Sequence, residues 1–263
     1  MRLNVEQMRQ FDQDGYLVLP NLFSTAEAAL MKRETERLYA LDRVEIQREK
    51  DGRTPRTAFS AHTLSPLFAK VARPPRLIGP SMQLLGGKVY IHQFKLNAKA
   101  AFDGDVWQWH QDYGTWKRDD DMPEPLGMNF AVFLDEVNTL NGPLMFIPGS
   151  HKLGVLEAAH DLRTTSYPLW TLDDATITRL VARGGIVAPT GGPGTGLFFH
   201  SCLVHGSNAN MTPWGRVIVY VTANRVDNAI RQFKRPEYIA HRDFTPIEPL
   251  SDDCLAEDLR RAA

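Results

Sequence analysis

The chain has 263 residues, 43% of them hydrophobic, which is enough for one sizeable core. Lys plus Arg number 30 against 31 for Asp plus Glu, so neither a basic block for nucleic acid nor an acidic tail for disorder is in view. No apolar run reaches the ~18 residues of a membrane span, the polar start lacks a signal-peptide core, and two distant cysteines, Cys202 and Cys254, suit a reducing cytoplasm better than a disulfide framework.

Asn4 and Gln7 form a capping-box pattern that opens a helix, and Gly15 ends it. Tyr16–Pro20 reads as a short strand. Ser24 and Glu27 start a longer helix to about Leu41, and Ser65–Pro66 marks another helix start. The pattern changes near residue 88, where Val89–Leu96 alternates as a half-buried strand does. Further strands are expected at Val106–His110, Met128–Leu134, Leu144–Ile147, Leu197–His200 and Val217–Thr222. Short strands between Gly, Pro and Asn clusters predict a mainly β fold with flanking helices, a double-sheet jelly roll. One domain over 1–263 is expected. Residues 153–195 read as an insertion in it, helical near Asp173–Arg183 and a candidate lid.

The chemistry is carried by His110-Gln111-Asp112 and a distant His205. Two side chains two apart at a strand end share one side of a sheet, so His110 and Asp112 can reach one ion, and His205 completes it from another strand. Two imidazoles and a carboxylate suit Fe(II) and leave three positions open. His-x-Asp alone is a weak signal, but Trp107, Trp109, Tyr113 and Trp116 surround it with aromatic rings. His200 is a rival ligand better placed in a core, and Cys202 reads as a small core residue rather than a soft ligand. Arg216 enters the apolar strand VIVYVT and needs an anionic partner there: a protein carboxylate, or the distal carboxylate of 2-oxoglutarate.

The segments FDQDGYLVLPNLFS, DGRTPRTAFSAH, YIHQFKLNAKAAFDGDVWQWHQDYGTW, NGPLMFIPGSHKLG and FHSCLVHGSNANMTPWGRVIVYVTAN carry a resemblance over about residues 11–225. The chain resembles the phytanoyl-CoA dioxygenase-like Fe(II)/2-oxoglutarate oxygenases, with likeness to ectoine hydroxylases and to bacterial hydroxylases of free amino acids, leucine hydroxylases among them. The resemblance implies a double-stranded β-helix (a cupin-like jelly roll). It implies His110, Asp112 and His205 as iron ligands, and Arg216 and Ser207 on the distal carboxylate of 2-oxoglutarate. It places Gln93 and Asn97 near that cosubstrate. These two lie four apart on one face of an alternating strand, and a structural amide pair is their other reading.

Ectoine hydroxylases resemble WHSDFETWH where this chain has WHQDYGTWK. The Gln after His110 and the DGRTPRTAFSAH segment look more like the leucine type. Asp112 is present where the halogenases of this superfamily carry a small residue, so hydroxylation is expected. An amino acid substrate needs a cation for its carboxylate, and Arg56 is the candidate; a solvated loop arginine is its other reading. Trp116, Asn129, Phe199 and Tyr220 are pocket-lining by resemblance, and each also fits core packing. Asp119–Asp121 reads as a solvated acidic turn, and His151 is not expected as a ligand.

The expected activity is hydroxylation of an unactivated C–H in a small free amino acid, leucine-like first, with Fe(II), 2-oxoglutarate and O2. Ectoine or a biosynthetic intermediate is the alternative substrate. A non-catalytic jelly-roll binding protein is the rival of another class, which the intact triad with Arg216 argues against. Neither nucleic acid nor a membrane is expected as a partner.

Overall fold

The computed structural model describes residues 1–262. Two capping boxes set its first helices. Asn4 Oδ1 accepts from the Gln7 N–H and the Gln7 side chain returns to the Asn4 N–H, 2.9 Å each, at the start of α1 (Val5–Asp14). Gly15 ends α1 in the left-handed conformation, φ 81°. β1 (Tyr16–Leu19) follows, and Ser24 with Glu27 repeats the box at α2 (Thr25–Tyr39).

Then comes a hairpin that the sequence pattern does not mark, β2 (Ile46–Arg48) and β3 (Pro55–Phe59). Asp51 Oδ1 ties its turn by accepting from the Arg53 and Thr54 N–H groups at 2.8 and 2.9 Å. Three helices come next, α3 (Ala61–Leu64), α4 (Pro66–Val71), capped by Ser65, and α5 (Pro75–Leu85). The β-rich part runs through β4 (Val89–Lys99), β5 (Trp107–His110), α6 (Asp112–Asp120), β6 (Gly127–Phe133) and β7 (Leu144–Phe146). The insertion holds a hairpin of β8 (Ala159–Asp161) and β9 (Leu169–Thr171), then α7 (Asp174–Gly184), started by Asp173 accepting from the Thr176 N–H. β10 (Gly196–His200), β11 (His205–Ser207) and β12 (Arg216–Arg225) complete the strands, and α8 (Ala256–Ala262) comes last.

Every strand pairing is antiparallel. A seven-stranded sheet has the order β1-β10-β6-β12-β4-β3-β2, and a three-stranded sheet the order β5-β11-β7. Alternation sorts the faces of the large sheet. Val219 and Val221 of β12, with Phe94 and Leu96 of β4, join the core under the N-terminal helices. Ile218 and Tyr220 of β12 turn the other way and pack with Phe199 of β10 and with Leu144 and Phe146 of β7 in the small sheet. The expected jelly roll is therefore present, with helices on its outer face.

After β12 the chain returns as a strap along the first half of β4. The His241 N–H donates to His92 O at 2.9 Å and the Ile247 N–H to Val89 O at 2.8 Å. The strap buries His241 edge-on against His62, centroids 4.5 Å apart. Burial lowers both, His62 to about 4 and His241 to about 3, the latter also disfavoured by its histidine neighbours; burial lowers His200 to about 4. A folded-state value below the ordinary 6.5 means that the unfolded chain takes up protons first as pH falls. Stability is therefore full above about pH 6.5 and drains away toward pH 4, by about 2 kcal/mol for each histidine at pH 5. A thermal melt series from pH 7.5 to 4.5 on the metal-free protein should show a steep loss of Tm. A flat profile would mean that these rings are not held neutral.

Candidate active site

β5 and β11 are neighbours in the small sheet, and their register sets His110 directly opposite His205. The imidazole centroids lie 4.1 Å apart. Asp112 does not reach the site by strand alternation, as the spacing suggested. β5 stops at His110, Gln111 is the N-cap, and Asp112 is the first residue of α6. The strand-to-helix corner brings its carboxylate back between the rings: Oδ1 lies 3.8 Å from His110 Nε2 and Oδ2 lies 3.7 Å from His205 Nε2.

All three residues are buried, and among the described residues they are the one group of three His, Cys, Asp or Glu side chains able to share an ion. Each imidazole has Nδ1 against a backbone carbonyl, His110 on Gln108 O at 2.6 Å and His205 on Leu203 O at 2.9 Å. A carbonyl accepts only, so Nδ1 carries the proton and Nε2 presents its lone pair to the centre. Burial and the neighbouring His205 ring hold His110 down at about 3, so it is an unprotonated donor at neutral pH. Burial pushes the Asp112 carboxyl up, but Lys95, both histidines and the Asn129 amide outweigh it and hold the group ionised, down at about 2. A charged carboxylate between two neutral imidazoles fits Fe(II).

The triad opens into a cavity walled by β4, β5, β11 and β12, the insertion and the strap. Arg216 lines it, is 3% exposed, and forms no ion pair among the described residues; its Nε and one terminal nitrogen donate to Gly142 O. The protein-carboxylate reading of Arg216 therefore has no partner to point to. Lys99 stands opposite Arg216 in the β4–β12 register, and burial with the nearby Arg216 and Arg56 charges pushes it down to about 6. At neutral pH Arg216 thus keeps its charge beside a mostly neutral amine. Ser207 Oγ and Asn97 Oδ1 line the same cavity and are buried without a hydrogen-bond partner, which is the mark of polar atoms awaiting a ligand. Gln93 also lines it, although its Nε2 is committed to Ile239 O of the strap at 3.0 Å.

Trp116, Phe199 and Tyr220 form apolar wall. Trp107 lines the cavity too, whereas Trp109 packs toward α7 and Tyr113 turns its hydroxyl to Met122 O and Pro123 O. Two expected substrate residues do not line it. Arg56 is fully buried, paired with Glu49 at 2.9 Å, donating to Val106 O at 2.8 Å and stacked 4.0 Å from the Trp107 ring centre. It is neither a solvated loop residue nor a free cation. Asn129 instead donates from Nδ2 to Asp112 Oδ2 at 2.6 Å. The rival ligands stay outside the centre: His200 Nδ1 accepts from the Cys202 N–H, and burial pushes the Cys202 thiol up to about 12. His151 sits against Asp12 O.

Among the lining residues that escaped sequence reasoning are Lys95, Thr115, Tyr167, Leu169 and Arg235. Lys95 was within reach, because it lies between Gln93 and Asn97 on the same face of β4. Tyr167 and Leu169 come from the insertion, and Arg235 from the strap, where no local pattern marks them. Arg235 is held by Asp120, with Nε to Oδ1 at 2.8 Å and a second contact to Oδ2. His92 Nε2 lies 3.5 Å from the same Oδ2. Asp120 is fully buried, which corrects the reading of Asp119–Asp121 as a solvated turn.

With this geometry in hand, comparisons with known proteins are specific. The family model described as phytanoyl-CoA dioxygenase matches residues 11–218. An ectoine dioxygenase of Bordetella parapertussis is 35% identical, covering 97% of this chain and 88% of its own. An L-proline trans-4-hydroxylase of Streptomyces griseoviridis is 34% identical over 94% of this chain and 96% of its own. The crystal structure of EctD from S. alaskensis with 2-oxoglutarate and 5-hydroxyectoine is 36% identical, with a TM-score of 0.85 over 95% of this chain and 88% of that one. A structure of the same protein with bound Fe gives a TM-score of 0.83. The chain belongs to the phytanoyl-CoA dioxygenase family and is an iron- and 2-oxoglutarate-dependent dioxygenase.

Proposed function

We propose that this enzyme hydroxylates a small cyclic zwitterion, ectoine first and proline second. Fe(II), 2-oxoglutarate and O2 supply the oxidising power for an unactivated C–H bond, with succinate and CO2 as coproducts. His110, Asp112 and His205 hold the iron. Arg216 binds the distal carboxylate of 2-oxoglutarate, assisted by Ser207 and Asn97, because Arg216 has no carboxylate partner and Ser207 Oγ and Asn97 Oδ1 are buried in the cavity without a hydrogen-bond partner. Arg235 and Lys95 are the other cations of the lining, and Arg235 is assigned to the substrate carboxylate. It stands in the same cavity as the triad, fixed by Asp120, and this placement is the observation that carries the reading. Trp116, Phe199 and Tyr220 offer ring faces to a protonated nitrogen and a compact ring.

The leucine-first expectation finds no support in the relatives, which are named for ectoine and proline. Its residue-level basis is also removed from the substrate. The Gln111 side chain points away from the cavity, donating to Gly154 O and Cys202 O at 2.8 and 2.7 Å and accepting from the Leu156 N–H. The DGRTPRTAFSAH segment sends only Phe59 to the cavity wall.

The insertion serves as the cover of the site, since Tyr167 packs at a tilt against Phe59 and Trp107 at the cavity while β8 and β9 brace the loop that carries it. A single domain working in the cytoplasm is part of the same reading. Both cysteines are free, and among the described residues no helix is long and apolar enough to cross a membrane.

The test is succinate formation with ectoine, L-proline and L-leucine, followed by product mass. Ectoine or proline should turn over best and gain one oxygen; leucine as the best substrate would overturn the assignment. Arg235→Gln should raise the substrate KM by roughly 10- to 100-fold, the loss of a charge-assisted contact. The visible charge-transfer band of the anaerobic Fe(II)–2-oxoglutarate complex should stay unchanged. An unchanged KM would remove Arg235 from the substrate site.

A further inference from the structure

Asp112 has two carboxylate oxygens, and the fold has already engaged one of them. Asn129 Nδ2 donates to Oδ2 at 2.6 Å, a short, charge-assisted hydrogen bond between two buried groups. No protein donor within hydrogen-bond reach engages Oδ1 among the described residues. The amide cannot turn over. Thr222 Oγ1 donates to Asn129 Oδ1 at 2.5 Å, and a carboxylate accepts only, so Asn129 must aim its N–H groups at Asp112. β6 and β12 build this geometry directly, because Asn129 and Thr222 are cross-strand partners and both are fully buried. They lie on the inward face of their strands, two residues beyond Ala131 and Tyr220 of the barrel interior.

The arithmetic of the metal gives this pair its meaning. Two imidazoles and one oxygen leave three of six positions open, as a chelating keto acid and O2 require. A carboxylate binding through both oxygens would leave two, and the keto acid alone fills two. We propose that Asn129, oriented by Thr222, is a positioning residue that keeps Asp112 ligating through Oδ1 alone and so preserves the third open position on the iron. This inference rests on the triad being the iron site. It replaces the earlier expectation that Asn129 lines the substrate pocket. If the pair served only to satisfy buried polar groups, its removal would lower stability and leave the metal untouched.

The experiment uses the full-length protein and two readouts other than turnover: anaerobic Fe(II) affinity by chelator competition, and nitric oxide binding to the Fe(II)–2-oxoglutarate complex by electron paramagnetic resonance. Asn129→Ala and Thr222→Val should each weaken Fe(II) binding, by about 10- to 100-fold for Asn129→Ala. At saturating iron, Asn129→Ala should lose most of the nitric oxide signal. Thr222→Ser, which keeps the hydroxyl, should restore wild-type behaviour. Folded variants with wild-type affinity, or an undiminished nitric oxide signal in Asn129→Ala at saturating iron, overturn the proposal. Wild-type protein is the control for the parent reading: if it forms no Fe(II)–2-oxoglutarate complex, the iron assignment fails first, whereas a normal wild type beside indistinguishable variants rejects only the role of Asn129.

Discussion

Asp112→Ala will lower hydroxylation by more than about 100-fold, since loss of a mere outer-sphere partner of a metal ligand already costs about 10- to 100-fold. Its position makes the experiment clean. Asp112 is the first residue of α6, where alanine is a good helix former, and Gln111 and Tyr113 on either side are anchored by their own hydrogen bonds. The substitution does leave Asn129 Nδ2 unpaired in a buried place, at a stability cost of about 1–3 kcal/mol. A melting curve therefore belongs beside the assay. A folded Asp112→Ala protein that still forms product at the wild-type rate would take Asp112 out of the centre. Asp112→Asn separates charge from shape: it keeps a side chain of the same size beside Lys95 and should be nearly as inactive, because the charge that Lys95 and the Asn129 amide stabilise is gone.

The second large effect belongs to Arg216. Arg216→Met keeps much of the apolar stem and removes the fork, and it should raise the 2-oxoglutarate requirement roughly 100-fold, about 3 kcal/mol for a bidentate charge-assisted pair in a dry pocket. The guanidinium has no carboxylate to pair with: its only hydrogen-bond partner among the described residues is the Gly142 carbonyl. Lys99 is poorly placed to compensate, because at neutral pH it is mostly unprotonated and its amine is turned to Asp105 O. Arg216→Lys should recover only part of the loss, since a point charge cannot match both oxygens of a carboxylate. The readout is a 2-oxoglutarate titration of succinate formation together with the anaerobic charge-transfer band. An unchanged requirement in a folded variant rejects the role.

What the sequence made legible was whatever local rules control. The capping boxes at Asn4 and Ser24, the Ser65–Pro66 start and the alternation of β4 all act over a few residues, and the structure follows them. The triad was legible because a metal demands particular residue types at particular offsets, and Arg216 because an arginine entering an apolar strand needs an anionic partner. Arg56 was misplaced because its partner, Glu49, faces it only once β2 and β3 have paired. Asp120 read as solvated because the Arg235 that covers it arrives from a strap more than a hundred residues later. Arg235 itself sits among charged and exposed neighbours that carry no periodicity. The hidden half of the site was thus the half made by long-range contacts, where residue type says little until the partner is known.

The direct pairing of His110 with His205 also bears on how the protein is assembled. The two ligands are separated by about ninety residues, and closing so long a loop comes after the capped helices and local hairpins can form. No earlier state of the chain can offer both imidazoles to one ion, so iron selects molecules in which β5 and β11 have already met. Bound metal then works as a removable clasp across the small sheet, adding about 4 kcal/mol of resistance to unfolding when free iron is a thousandfold above its dissociation constant.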